Sequence, residues 1–137
     1  ALSLAVIDAS TLIAALSPDE SLAEARRLLS AALHAEAAAP SLLLYECGNA
    51  LQVKYRRGLF DLATRDELLD MVASLPVAYE PPDAGIVARR VVPLAARCGL
   101  SVYDASYLEL AARSGKPLAS YDRRLREAAR LEGVSLV

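Results

Sequence analysis

Two short strand-like runs in this chain end the same way. The run LSLAVI at residues 2–7 leads straight into Asp8, and KPLASY at residues 116–121 leads into Asp122. The first is apolar at consecutive positions rather than at alternate ones. That predicts a strand buried on both faces, which means a parallel strand lying under helices. AAAP at residues 37–40 and PVAYEP at residues 76–81 are two further short strand candidates. Helical stretches lie between all of them. Strands alternating with helices predict the α/β class: one domain over residues 1–137, with a central parallel sheet flanked by helices on both faces.

The helix signals are local. Residues 10–16 predict a short helix, and SLAEARRLLSAALHAE, from Ser21, an amphipathic one. Ser41 is placed to cap a helix running to Arg57, which Gly58 ends. Thr64 and Glu67 have capping-box spacing at the start of TRDELLDMVASL. Asp83 opens and Gly99 closes a helix that Pro93 should kink or split. Residues 101–115 predict another helix, and DRRLREAARLEG one that Gly133 stops. VSLV, at the end, predicts a last strand.

Composition narrows the function. Hydrophobic residues make up 55% of the 137, aromatics only 5%, so the core is aliphatic. A net charge of −2 excludes a wholly basic nucleic-acid binder and leaves room only for local basic patches. Two cysteines, Cys47 and Cys98, and a single His34 argue against a disulfide framework and a structural zinc site. Both cysteines are expected to be buried free thiols. The apolar start has no basic segment and is interrupted by Asp8, so no signal peptide is expected. No apolar run reaches about 18 residues, so no membrane span is expected, and the expected location is the cytoplasm.

The acids carry the chemistry. Ligands of open α/β sheets bind outside the carboxyl ends of the strands. Asp8 and Asp122 fall at two such ends, and Asp104 in the first turn of a helix. Glu46 lies early in its own helix, with Asn49 three residues on and on the same face. Each acid alone also has an ordinary task available, as a helix cap or a solvated helix residue. If the four converge, their mutual repulsion calls for a cation. Oxygen-only ligands select a hard ion, Mg²⁺ or Mn²⁺. No G-x-S-x-G elbow or Walker loop is present, and one histidine leaves little scope for a triad.

The segments VIDASTLIA, LYECGNAL, VYDASYLELA and PLASYDRRL, in this order, resemble the motifs of the PIN domain family. The likeness is strongest to its VapC-type toxins of bacterial toxin–antitoxin pairs, and it runs from Leu4 to about Val137. The resemblance implies a metal-dependent endoribonuclease that hydrolyses phosphodiester bonds. It makes Asp8, Glu46, Asp104 and Asp122 the catalytic and metal-binding quartet, supported by Ser10, Asn49 and Ser120. It also implies an RNA substrate, a VapB-like antitoxin and a homodimer, for which the helices at residues 21–35 and 64–75 are candidates. The residues alone leave DNA open as substrate. Lys54, Arg56, Arg57 and Arg123 are candidate phosphate contacts, as are Arg124 and Arg126. Two other readings stand beside this one: a PIN-like scaffold that only binds nucleic acid or protein, and a receiver-type signalling domain.

Overall fold

The computed structural model describes residues 4–137. Leu2 and Ser3 of the first apolar run lie outside the described residues. The elements in chain order are β1 (Ala5–Ile7), α1 (Ala9–Leu16), α2 (Ala23–His34), β2 (Ala37–Pro40), α3 (Leu42–Arg56), α4 (Leu62–Ser74) and β3 (Val77–Glu80). A continuous helical segment follows: α5 (Ala84–Ile86), a π turn (Val87–Val91) and α6 (Val92–Cys98). The chain closes with α7 (Val102–Ser114), β4 (Leu118–Ala119) and α8 (Arg123–Leu131).

The four strands form one parallel sheet in the order β3-β2-β1-β4. The chain steps from β1 to β2 to β3 in one direction, then returns past all three to place β4 beside β1. Crossovers between parallel strands are right-handed. The helices of the first two connections therefore cover one face, and those of the third the other. α2 and α7 each pack against β1, β2 and β4. The order reverses between β1 and β4, and the crevice outside their carboxyl ends is where such sheets bind ligands.

Side-chain size sets the sheet-to-helix spacing. The paired residues of β1 and β2 include Ala5 opposite Ala37 and Val6 opposite Ala38. Small side chains there let α2 and α7 approach closely. Leucines fill the layers: Leu12 and Leu28 from α1 and α2, Leu43 and Leu51 from α3, Leu108 from α7 and Leu125 from α8, all fully buried. Truncating one such leucine typically costs about 2–5 kcal/mol, because the lost transfer energy is joined by a cavity.

Several helix ends differ from the sequence expectation, for local reasons. Ser41 precedes α3, but its backbone is already helical (φ −61, ψ −18) and its hydroxyl caps nothing. A cap needs extended backbone to swing the oxygen back over the first turn. The Ser41 N–H instead extends the β2–β3 ladder by donating to the Glu80 carbonyl at 2.9 Å. α4 starts a turn before the Thr64–Glu67 pair, because Asp61 is its cap and accepts from the Thr64 N–H at 2.8 Å. α2 begins at Ala23 rather than at Ser21, whose backbone is left-handed (φ 42) and whose hydroxyl is held by Arg26 at 2.5 Å. Pro93 lies just beyond the π turn, and the wider ladder there accommodates a residue with no N–H to give. The expected last strand is reduced to one bridge, Leu118 with Leu136. Cys47 is buried as expected, but Cys98, near the end of α6, is partly exposed.

Candidate active site at the carboxyl edge of the sheet

β1 ends at Ile7 and delivers Asp8 to the crevice. Asp8 is only 2% exposed. Its Oδ1 accepts from the Thr11 N–H at 3.2 Å and so caps α1. Its Oδ2 accepts from the Ser10 hydroxyl at 3.1 Å and the Ser120 hydroxyl at 2.8 Å. Burial pushes the Asp8 carboxyl above its ordinary range, and these donors only partly pull it back. Ser120 is fully buried at the end of β4. Its oxygen also accepts from the Asp122 N–H at 3.1 Å, so one hydroxyl ties the ends of β1 and β4 together. The Tyr121 N–H, donating to Thr11 Oγ1 at 3.0 Å, and Arg126, donating to the Ser120 carbonyl at 3.0 Å, hold the same turn. Asp122 itself caps α8, accepting from the Leu125 N–H at 2.8 Å.

Glu46 comes from the second turn of α3 and is half-buried. Its Oε1 accepts from the Tyr107 hydroxyl at 2.6 Å. Burial raises the Glu46 carboxyl, the Tyr107 bond opposes this, and the charges of Asp104 and Asp8 raise it further. Asp104 sits in the first turn of α7. Ser101 caps that helix through the Asp104 N–H at 3.0 Å, but the reciprocal bond from the Ser101 N–H to the Asp104 carboxylate, which would complete a capping box, is not made. Burial first and the charge of Asp122 second push the Asp104 carboxyl up, against the Ser101 hydroxyl and Arg124.

The acids thus repel one another in sequence: Asp8 with Glu46, Glu46 with Asp104, Asp104 with Asp122. Asp8 and Asp122 cap helices and also border the crevice, so the ordinary task and the site are not exclusive. Among the described residues, no three His, Cys, Asp or Glu side chains already surround one ion position. The donor chemistry nonetheless fits a hard divalent cation: four carboxylates with serine hydroxyls beside them, of which burial opposes the ionisation of Asp8, Glu46 and Asp104.

A cleft of about 260 Å³ opens at Glu46, lined also by Ser10, Tyr121, Glu20 and Lys54 among others. Lys54 is not free to hold phosphate. Its ammonium lies between Asp19 at 2.5 Å and Glu20 at 2.7 Å, with the side chain only 15% exposed. Arg56, Arg57 and Arg123 are exposed. Arg124 donates to the Gly99 carbonyl, at the end of α6. Asn49 is exposed and makes no hydrogen bond with the acids. Burial and the charges of Glu46 and Asp8 push the Cys47 thiol up to about 12, so without a metal it stays a neutral thiol at neutral pH.

Apolar periodicity places Tyr107 with Leu108, Leu110 and Ala111 on the apolar side of the 101–115 helix and says nothing of its hydroxyl. Its position three residues after Asp104, and therefore on the same helix face, was the available signal.

The fold and site together define an α/β sheet with a carboxylate site at its topological switch point. A family profile described as PIN domain matches residues 5–131, and this chain belongs to the PIN domain family. Ribonuclease VapC3 of Pyrobaculum aerophilum is 33% identical over 122 residues, covering 89% of this chain and 92% of that protein. Exonuclease VapC9 of the same organism is 39% identical over 85 residues, 61% of this chain and 60% of that protein. Among solved structures, the crystal structure of PAE2754 from Pyrobaculum aerophilum matches with a TM-score of 0.68 and 29% identity, covering 93% of this chain and 85% of that one. Family membership sets aside the receiver-type reading. No helix among the described residues is long and apolar enough to cross a membrane.

Proposed function

We propose that this chain is a divalent-metal-dependent endoribonuclease, the toxin of a VapBC-type pair, acting in the cytoplasm as one domain over residues 1–137. The observation that carries this reading is the buried Asp8 carboxylate at the end of β1. It is joined to β4 through Ser120, and its charge and that of Asp104 both act on the half-buried Glu46 carboxyl between them. The relatives named as a ribonuclease and an exonuclease support hydrolysis of nucleic acid.

Asp8, Glu46, Asp104 and Asp122 would hold Mg²⁺ or Mn²⁺. When bound, such an ion supplies activation of water, orientation of the phosphate and charge neutralisation at a phosphodiester. The chain's own residues prepare the site. Ser10 and Ser120 orient the Asp8 oxygens. The caps fix Asp8 and Asp122 on rigid helix starts, and the Tyr121–Thr11 bond holds the turn that carries Asp122. Asn49 lies on the exposed side of α3 for contact with substrate. Arg56, Arg57 and Arg123 would meet phosphates outside the acidic crevice. The same acids offer an antitoxin arginine a bidentate partner, which suits inhibition by a VapB-like tail. The homodimer expected at residues 21–35 and 64–75 belongs to this proposal.

A circular single-stranded RNA tests the proposal and separates it from exonuclease action. We expect linear products with Mn²⁺ and none with chelator. Cleavage of linear RNA alone would make the chain an exonuclease, and no cleavage of either would leave a binding scaffold. A matched circular DNA reports the choice of sugar.

A further inference from the structure

Tyr107 has the largest fully buried side chain of the core, yet its hydroxyl reaches the edge of the acidic crevice and donates to Glu46 Oε1 at 2.6 Å. Glu46 and Tyr107 are 61 residues apart in sequence. The bond therefore joins α3 to α7, the two helices that bring acids to the crevice from outside the strand ends. Tyr107 lies one helical turn after Asp104, and its ring is 1% exposed, so packing fixes where the hydroxyl stands. A phenol is a single donor at ordinary pH. It can satisfy one oxygen of Glu46 and leave the other to face the crevice.

We infer that Tyr107 is the positioning residue of the metal site: its hydroxyl holds Glu46 Oε1 so that Oε2 is presented to the cation. This rests on the proposed metal-dependent reading and extends it to a residue outside the acid quartet. Glu46 needs such help more than Asp8 and Asp122 do. Asp8 is fixed by three donors and Asp122 by its helix cap, whereas Glu46 is a half-buried side chain with three rotatable bonds, and Tyr107 is its hydrogen-bond partner among the described residues. A ligand held by a fixed donor loses less rotamer freedom when it binds.

Mn²⁺ binding measured by electron paramagnetic resonance of the free ion tests this in four proteins: wild type, Tyr107→Phe, Glu46→Gln and the double variant. Tyr107→Phe should weaken Mn²⁺ binding about tenfold. In the Glu46→Gln background the same change should have almost no effect, because the hydroxyl acts through the Glu46 carboxylate. Metal-free melting temperatures separate this from a general loss of packing, which would lower stability and leave the affinity ratio alone. In wild type carrying ¹³Cζ-tyrosine, Mg²⁺ should move the Tyr107 signal and leave that of Tyr79, whose buried hydroxyl has no partner, in place. This arm needs no variant to fold. Unchanged Mn²⁺ affinity in Tyr107→Phe, or a Tyr107 signal indifferent to Mg²⁺ while wild type binds metal, overturns the inference and leaves the metal site standing. A wild type that binds no Mn²⁺ overturns both.

Discussion

Replacing Asp104 with asparagine keeps the side chain's shape and leaves the Ser101 cap on the Asp104 N–H in place. What changes is a charge that burial and Asp122 both oppose. If Asp104 merely complements the dipole of α7, the metal-free variant should lose about 0.3–1 kcal/mol. On the present account, relief of repulsion outweighs that loss, and the metal-free variant melts at or above wild type. The response to metal moves the other way. At a Mn²⁺ concentration a hundred times Kd, the wild type gains about 2.7 kcal/mol. For a chain of this length that is roughly 10 °C in melting temperature. A ligand loss that weakens binding tenfold leaves about 1.4 kcal/mol, roughly 5 °C, at the same concentration. RNA cleavage should fall about a hundredfold or more, since a misplaced ion misplaces its water. The assay is thermal melting with and without Mn²⁺, beside cleavage of a labelled RNA. A variant that melts lower without metal, gains as much from Mn²⁺ and still cuts would refute the reasoning.

Three further outcomes follow from the same geometry. The Asp8, Glu46 and Asp104 carboxyls are all raised, so their contribution to metal-free stability is present below the unfolded carboxylate range and fades as pH rises through their folded values. The stability advantage of Asp8→Asn over wild type should therefore grow from pH 4 toward pH 8 in urea unfolding without metal, and a flat difference would contradict the sign. Ser120→Ala removes the buried hydroxyl between Asp8 and the Asp122 N–H. It should cost about 1–3 kcal/mol. The exposed Ser10 should cost less in the same measurement. Neutralising Arg56 and Arg57 together should weaken RNA binding and flatten its salt slope by up to about 1.4, at roughly 0.7 per single-strand phosphate contact. An unchanged slope in fluorescence anisotropy would leave both as solvated charge.

The strands and the acids were legible because their signals are local. Short runs leading into Asp8 and Asp122 pointed to two strand ends, and AAAP offered a short strand candidate that forms as β2. What escaped was set by distant partners or by backbone angles. Lys54 read as a free cation because Asp19 and Glu20 are 35 and 34 residues away in sequence. Tyr107 read as plain core because Glu46 belongs to another helix. Ser41 and Ser21 carry suitable cap chemistry, but their backbones are helical and left-handed where a cap must be extended. The 134–137 segment has strand-like residues, yet β4 has only two residues to pair with it, and a single bridge forms.

On the proposed function, Asp8, Glu46, Asp104 and Asp122 hold divalent metal in the crevice. Anomalous diffraction from crystals grown with Mn²⁺ tests it most directly. The account predicts a manganese peak in the crevice outside β1 and β4, within bonding distance of Asp8 and at least one of the other three acids, and no such peak in Asp8→Asn. A peak only elsewhere on the molecule, or an empty crevice at saturating Mn²⁺, would contradict it.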